Sequence, residues 1–243
     1  MSASAPTSPT SYTSKQKDFG EASSQEAGSS EEQPKNSIFS QVLPGLYVGN
    51  FRDAKDQEQL RANNITHIIS IHDNAKKVHD DKEYLCIQAA DTPGQDLKQF
   101  FSRCNDFIHR ARTNGGGVLI HCLAGVSRSV TIATAYLMSI TSLSCKDSLK
   151  ILRGARSIAN PNCGFQKQLH QFEFQRLTEE RRRLRERYPK QTFQIDEKEC
   201  KKLLVIYHAT TKTKEPCGGI CRRYGPPPSP KRRSPNRDNP RSS

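Results

Sequence analysis

The stretch "GGGVLIHCLAGVSRSVTIATAYLMSI" (115–140) constrains the fold more than any other part of this chain. Its first half is a short apolar run entered through three glycines, the pattern of a strand buried on both faces. Its second half, from Ser127 to Ile140, is apolar nearly all round, as a central buried helix is. Only a few residues lie between them. A buried strand must therefore pass through a tight loop straight into a buried helix, and both need covering layers.

The flanking sequence supplies those layers. "GLYVGN" (45–50), "ITHIISI" (65–71) and "YLCIQAA" (84–90) read as strands, and "DAKDQEQLRANN" (53–64) as an exposed helix. "DLKQFFSRCNDFIHRA" (96–111) carries apolar groups at amphipathic-helix spacing. Ser144 followed by Asp147 predicts a capped helix over "CKDSLKILRGA". Phe165, Leu169, Phe172 and Leu177 form the stripe of a last helix. That helix is expected to run on into "TEERRRLRERY" as a solvated charged face, supported by Glu179–Arg183 and Arg182–Glu186 pairs and stopped by Pro189. Strands alternating with helices predict an α/β domain, its sheet flanked by helices. "KKLLVIYHA" (201–209) has strand-like content without an evident partner.

Three regions follow: a Ser-rich leader over 1–36 expected to be disordered, a catalytic-size domain over 37–188, and a basic Pro-rich tail over 189–243 expected to be mostly disordered. The net charge of +13 divides as −2 over 1–36, +5 over 37–176 and +10 over 177–243, so most of it is a property of the C-terminal segment. Such a tail suits nucleic acid, acidic lipid or an import receptor, or is merely solvated. Its "SPKRRSP" reads as a nuclear import signal, a proline-directed kinase site or neither. The eight cysteines are scattered, which predicts reduced thiols in cytoplasm or nucleus. No apolar run reaches membrane-spanning length, and the Met-Ser start lacks the N-myristoylation pattern. "CGGIC" (217–221) lacks a second ligand pair at zinc-finger spacing. Cys86 is read as a buried inert thiol, with a disulfide to Cys122 as the alternative if their strands are adjacent.

The chemistry sits in the loop. A helix N-terminus offers unpaired N–H groups and a positive dipole end, so residues 123–128 (Leu123, Ala124, Gly125, Val126, Ser127, Arg128) can wrap a tetrahedral anion. Gly125 permits the tight turn, and Arg128 adds a planar two-pronged contact to phosphate oxygens. The same field depresses the pKa of Cys122, favouring a thiolate. Ser129 is placed to donate a hydrogen bond to that sulfur, and His121 to brace the loop without acting as a base. A phenoxide leaving group, with conjugate-acid pKa about 10, needs a proton donor. Asp91 in "AADTPGQD" (89–96) follows a strand and precedes a Pro-Gly turn, whereas Asp96 reads as an N-cap. The chemistry calls for no metal and no cofactor.

"HCLAGVSRS", "AYLM" (135–138) and "NPNCGFQKQL" (160–169) resemble the cysteine-dependent dual-specificity protein phosphatases. With "LPGLYVGNFRDAKD" and "YLCIQAADTP", the likeness is greatest to the small atypical members of the JNK stimulatory phosphatase type, over residues 38–187. The resemblance implies a five-stranded, mostly parallel sheet and a shallow pocket for phosphotyrosine and phosphoserine/threonine in protein substrates, including MAP kinase pathway components. It also implies Cys122 as nucleophile, Arg128 as phosphate clamp, Asp91 as general acid, Ser129 as thiolate partner and Asn162 as a brace of the loop. Relatives of this type often begin Met-Gly, which this chain does not. The neutral residues between Cys122 and Arg128 disfavour a phosphoinositide, whose extra charges call for lysines. An RNA 5′-triphosphatase would rest on the tail alone, and a phosphate-binding pseudophosphatase is disfavoured because cysteine, arginine and acid are all present.

Overall fold

The computed structural model describes residues 39–211; the leader and the segment beyond Thr211, with Cys217 and Cys221, lie outside them. In chain order the elements are β1 (Ser40–Leu43), β2 (Leu46–Gly49), α1 (Gln57–Ala62), β3 (Ile65–Ile71), β4 (Glu83–Ile87), α2 (Phe101–Thr113), β5 (Gly117–His121), α3 (Arg128–Ile140), α4 (Cys145–Ala155), α5 (Cys163–Gln175), α6 (Leu177–Arg187) and α7 (Lys190–Thr211). The sheet order is β1-β2-β5-β3-β4. Only β1 and β2 pair antiparallel; the other neighbours are parallel, with Ile120 opposite Val48 on one side and Ile69 on the other.

The strand and helix read from the opening stretch occupy the centre of the domain. Every residue of β5 and of α3 is buried. Helices α2, α4, α5 and α6 all pack on α3, which explains why its sequence has no polar face. Ser144 caps α4 as expected, its hydroxyl accepting from the Asp147 N–H at 3.1 Å. The helix expected over 53–64 is instead a single 3₁₀ turn, Asp53–Lys55, followed by α1. The Asp56 carboxylate accepts from the Gln59 N–H at 3.1 Å and restarts the helix.

Three further expectations are corrected. The charged run after Leu177 is docked, not merely solvated. Glu180 is buried and accepts from Asn105 Nδ2 and Ser102 Oγ, both at 2.8 Å, while Arg181 donates to the Met138 and Leu143 carbonyls. Arg182 pairs with Glu186, but Glu179 also turns to Arg182, because Arg183 is engaged by Glu180 and Asp106.

Second, the expected tail begins with a 22-residue helix, α7, which includes the strand-like "KKLLVIYHA". Phe193, Asp196 and Cys200 are buried on one side of it, and Leu203 and Leu204 pack on the core from the same face. This helical periodicity outweighs the local β-propensity of Val205 and Ile206, which face outward. Arg112 fastens the helix: its Nη1 and Nη2 reach Asp196 Oδ2 and Oδ1 at 2.8 and 2.7 Å, and Nη1 also donates to Tyr136 Oη.

Third, Cys86 is exposed, because alternation along β4 turns Leu85 and Ile87 inward. Strand β3 separates it from β5, so it is not the strand neighbour of Cys122 that a disulfide would require.

Breaking the buried Arg112–Asp196 pair is expected to cost about 3–5 kcal/mol, since one charge is left uncompensated. Asp196→Ala should therefore lower the urea midpoint sharply, and ending the chain at residue 188 should destabilise the domain as well. Chemical denaturation of the three proteins checks this.

Candidate active site

Cys122 follows the last residue of the central strand and lies at the carboxyl end of the parallel strands, where open α/β sheets place their ligands. The loop from Leu123 to Ser127 then curls under the N-terminus of α3. Its carbonyls are drawn outward one after another. Leu123 O accepts from the Phe51 N–H at 3.1 Å, Ala124 O and Gly125 O from Arg156 at 3.4 and 2.7 Å, and Val126 O from the Asn160 N–H at 2.9 Å. With the carbonyls held away, the N–H groups are left for the concave side. Gly125 has φ +68°, and a Cβ there would fall 2.5 Å from the Gly49 carbonyl, so only glycine fits.

The Cys122 thiol is almost wholly buried. The Gly125 N–H donates to its Sγ at 3.1 Å, and Ser129 Oγ lies 3.4 Å away. Burial by itself raises a thiol pKa. Here the Ser129 hydroxyl and the amides of Ser129, Gly125 and Val126 together outweigh it and hold Cys122 below the ordinary value. Beneath the loop His121 Nδ1 donates to the Cys122 carbonyl at 3.3 Å. Burial pushes this imidazole down to about 4, so it is neutral at pH 7. Its ring lies tilted against those of His72 and Phe51, with centroids 5.8 and 6.0 Å away.

Arg128 is buried at the start of α3. Its Nη1 donates to Asp73 Oδ2 at 2.9 Å and to the Ala89 carbonyl at 2.8 Å, while its buried Nε has no hydrogen-bond partner. Asp91 joins the same cluster. Its Oδ1 accepts from Ser127 Oγ at 2.7 Å and from Asn162 Nδ2 at 2.8 Å, and its Oδ2 lies 3.5 Å from Arg128 Nε. Asn162 also caps α5, accepting from the Phe165 N–H. Asp96 instead accepts from the Lys98 N–H at 2.9 Å, a local turn cap. All the expected residues thus converge on one loop, with Asp96 outside it.

Four further residues shape the site, three of them without a local signal in the sequence. Asp73 holds Arg128, and Arg156 ties two loop carbonyls. Gln168, buried on α5, accepts from the Leu97 N–H at 2.8 Å and donates to Gln95 O at 2.7 Å. Gly164 lets the Asp91 loop lie directly on α5, since a Cβ there would sit 2.1 Å from Pro93 O. The loop is therefore clamped in place beside the cysteine. No spacing in the sequence ties these positions to the loop; "GF" after "NPNC" was the one available signal for Gly164.

A buried cysteine held by amides at a helix N-terminus, with an arginine and a carboxylate beside it, is the site architecture of a cysteine-dependent phosphatase. Residues 46–175 match the family described as "Dual specificity phosphatase, catalytic domain". The chain belongs to this family, and its function is that of a protein phosphatase. It is 50% identical over 167 residues to dual specificity protein phosphatase 22 of Mus musculus, covering 69% of this chain and 90% of that protein. It is 47% identical over 168 residues to dual specificity protein phosphatase 15 of the same species, covering 69% and 71%. A crystal structure of DUSP15 superposes with a TM-score of 0.61 at 49% identity, covering 63% of this chain and 99% of that one.

The Ser129 hydroxyl lowers the Cys122 pKa, so Ser129→Ala should move the midpoint of Cys122 alkylation by iodoacetate to higher pH. Mass spectrometry of the Cys122 peptide across pH 4–9 reads this shift.

Proposed function

We propose that the chain hydrolyses phosphotyrosine and phosphoserine/threonine in proteins through a phosphocysteine intermediate on Cys122. The observation that carries this reading is the convergence of the Gly125 amide and the Ser129 hydroxyl on the Cys122 sulfur, which favours the thiolate. The phosphate of the substrate sits in the loop, its non-bridging oxygens held by the amides of 123–128 and by the Arg128 guanidinium, whose Nη1 is fixed by Asp73 and the Ala89 carbonyl.

In the first step Sγ attacks phosphorus as the bond to the leaving oxygen breaks, and Asp91 gives that oxygen its proton. Oδ1 is occupied by Ser127 and Asn162, so Oδ2 is the oxygen that carries the proton. In the second step water attacks the phosphocysteine, Asp91 takes the proton, and Sγ leaves as thiolate while inorganic phosphate departs. Ser129 stabilises the departing sulfur. Neutral His121 and the cap residue Asn162 hold the loop and the acid in register.

Protein substrates follow from the family, and an open groove lined by Phe51, His72, Asp73, Lys76, Lys77 and Leu123 runs beside the loop. The resemblance to the JNK stimulatory type supports phosphoproteins of MAP kinase pathways, acting in the cytoplasm. Nuclear entry would rest on the basic segment beyond Thr211.

Hydrolysis of an activated aryl phosphate by the purified chain, in the presence of a chelator, is the direct test. Cys122→Ser should abolish turnover while still binding a phosphate analogue. Arg128→Ala should weaken both. Asp91→Ala should slow phosphotyrosine peptide hydrolysis about 100- to 10,000-fold while sparing nitrophenyl phosphate. Equal slowing of both substrates would remove Asp91 from the acid's role.

A further inference from the structure

Helices α4 and α5 also bring together a second set of reactive side chains. Cys145 is the first residue of α4, and His170 and Glu173 lie three apart on α5, so they share one face of that helix. Cys145 Sγ, a ring nitrogen of His170 and a carboxylate oxygen of Glu173 all lie within 4.8 Å of one another. The carboxylate is already oriented. Its Oε1 accepts from the Cys145 N–H at 2.8 Å, and its Oε2 lies 3.5 Å from His170 Nδ1.

We propose that Cys145, His170 and Glu173 form a binding site for a zinc-type divalent cation that ties the start of α4 to α5. One thiolate, one imidazole and one carboxylate are a borderline-soft donor set, suited to Zn²⁺ or Co²⁺ and unsuited to Mg²⁺ or Ca²⁺, which take oxygen ligands. Bonds of about 2.0–2.3 Å around a tetrahedral ion separate ligand atoms by roughly 3.5 Å. The three groups need to close by about an ångström, a movement available to the half-exposed His170 side chain. The Cys145 thiol passes its proton to water on binding. Glu173 coordinates through Oε2 while Oε1 keeps its bond to the Cys145 amide, the kind of outer contact that orients a metal ligand. Solvent supplies the remaining position beside His170.

The site is structural and lies apart from the phosphatase chemistry. Helix α4 has 11 residues, so Cys145 lies about 16 Å along it from Arg156, which holds the phosphate loop. The ion fastens the far end of the two helices whose near ends hold that loop and, through Asn162, Asp91.

The test uses the full chain carrying Cys86→Ser, Cys122→Ser, Cys163→Ser, Cys217→Ser and Cys221→Ser, which removes the exposed thiols, the nucleophile and the CGGIC pair as competing metal ligands. After chelator treatment the protein is titrated with Co²⁺ and with Zn²⁺. One equivalent of Co²⁺ should give a thiolate charge-transfer band. Zn²⁺ at a hundredfold excess over its Kd should raise Tm by about 5–10 °C. Cys145→Ser should lose the band. His170→Gln, a surface change, should weaken Zn²⁺ binding by more than the roughly 10- to 100-fold that outer-contact changes cost. An unchanged spectrum and affinity in folded His170→Gln overturns the proposal, as does absence of binding in the starting protein. If Cys145→Ser does not fold, His170→Gln alone decides.

Discussion

The outward tethering of four successive carbonyls, Leu123 to Val126, is the constraint on which the rest of the structure depends. A peptide group whose carbonyl is held outward turns its N–H inward, and repeating this over one tight turn makes a positive concavity without any metal or lysine. The partners that hold the carbonyls come from three places: the segment after β2, the end of α4, and Asn160 before α5. The loop therefore acquires its shape only when the sheet and both helices are in place. The lowered Cys122 pKa is a consequence of packing as much as of local sequence.

The same economy runs through the acid side. Ser127 Oγ donates to Asp91 and also accepts from the Asn162 N–H, so one hydroxyl couples the phosphate loop, the acid loop and the N-terminus of α5. Gln168 and Gly164 complete the clamp by fixing the acid loop on α5. In the proposed mechanism, Asp91 held this way would reach the leaving oxygen without a large closing movement, a preset geometry that reduces the entropic part of the barrier. Arg128 is restrained in the same manner: Asp73 and the Ala89 carbonyl fix one side of the guanidinium, leaving its donors already oriented for an oxyanion.

Helix α7 extends the domain beyond the boundary that composition suggested. The segment 190–211 carries four lysines, and its apolar run contains β-branched residues, so locally it resembles tail or strand. The stripe Phe193, Cys200, Leu203, Leu204 marks the helix once a core is present to receive it. The buried Arg112–Asp196 pair joins this helix to α2, and breaking it would leave one buried charge uncompensated. Glu180 does the same for α6, which is why a run that reads as solvent-facing charge is partly interior.

The sequence by itself determined the strand–loop–helix core and the identity of its chemistry. Apolar periodicity, Gly125 and the Cys122-to-Arg128 spacing are local properties of a few adjacent residues, and local properties survive in one dimension. It also determined the α4 cap at Ser144 and the presence of Asp91, since each announces itself within a few positions. Tertiary structure alone decided that Asp73 and Arg156 serve the loop, that Cys86 stands on an outer strand away from Cys122, that Glu180 is buried, and that 190–211 is a docked helix. Each of these rests on a partner tens of residues away in the chain. Burial and pairing across such distances are set by how helices and strands stack, and no spacing along the sequence records that.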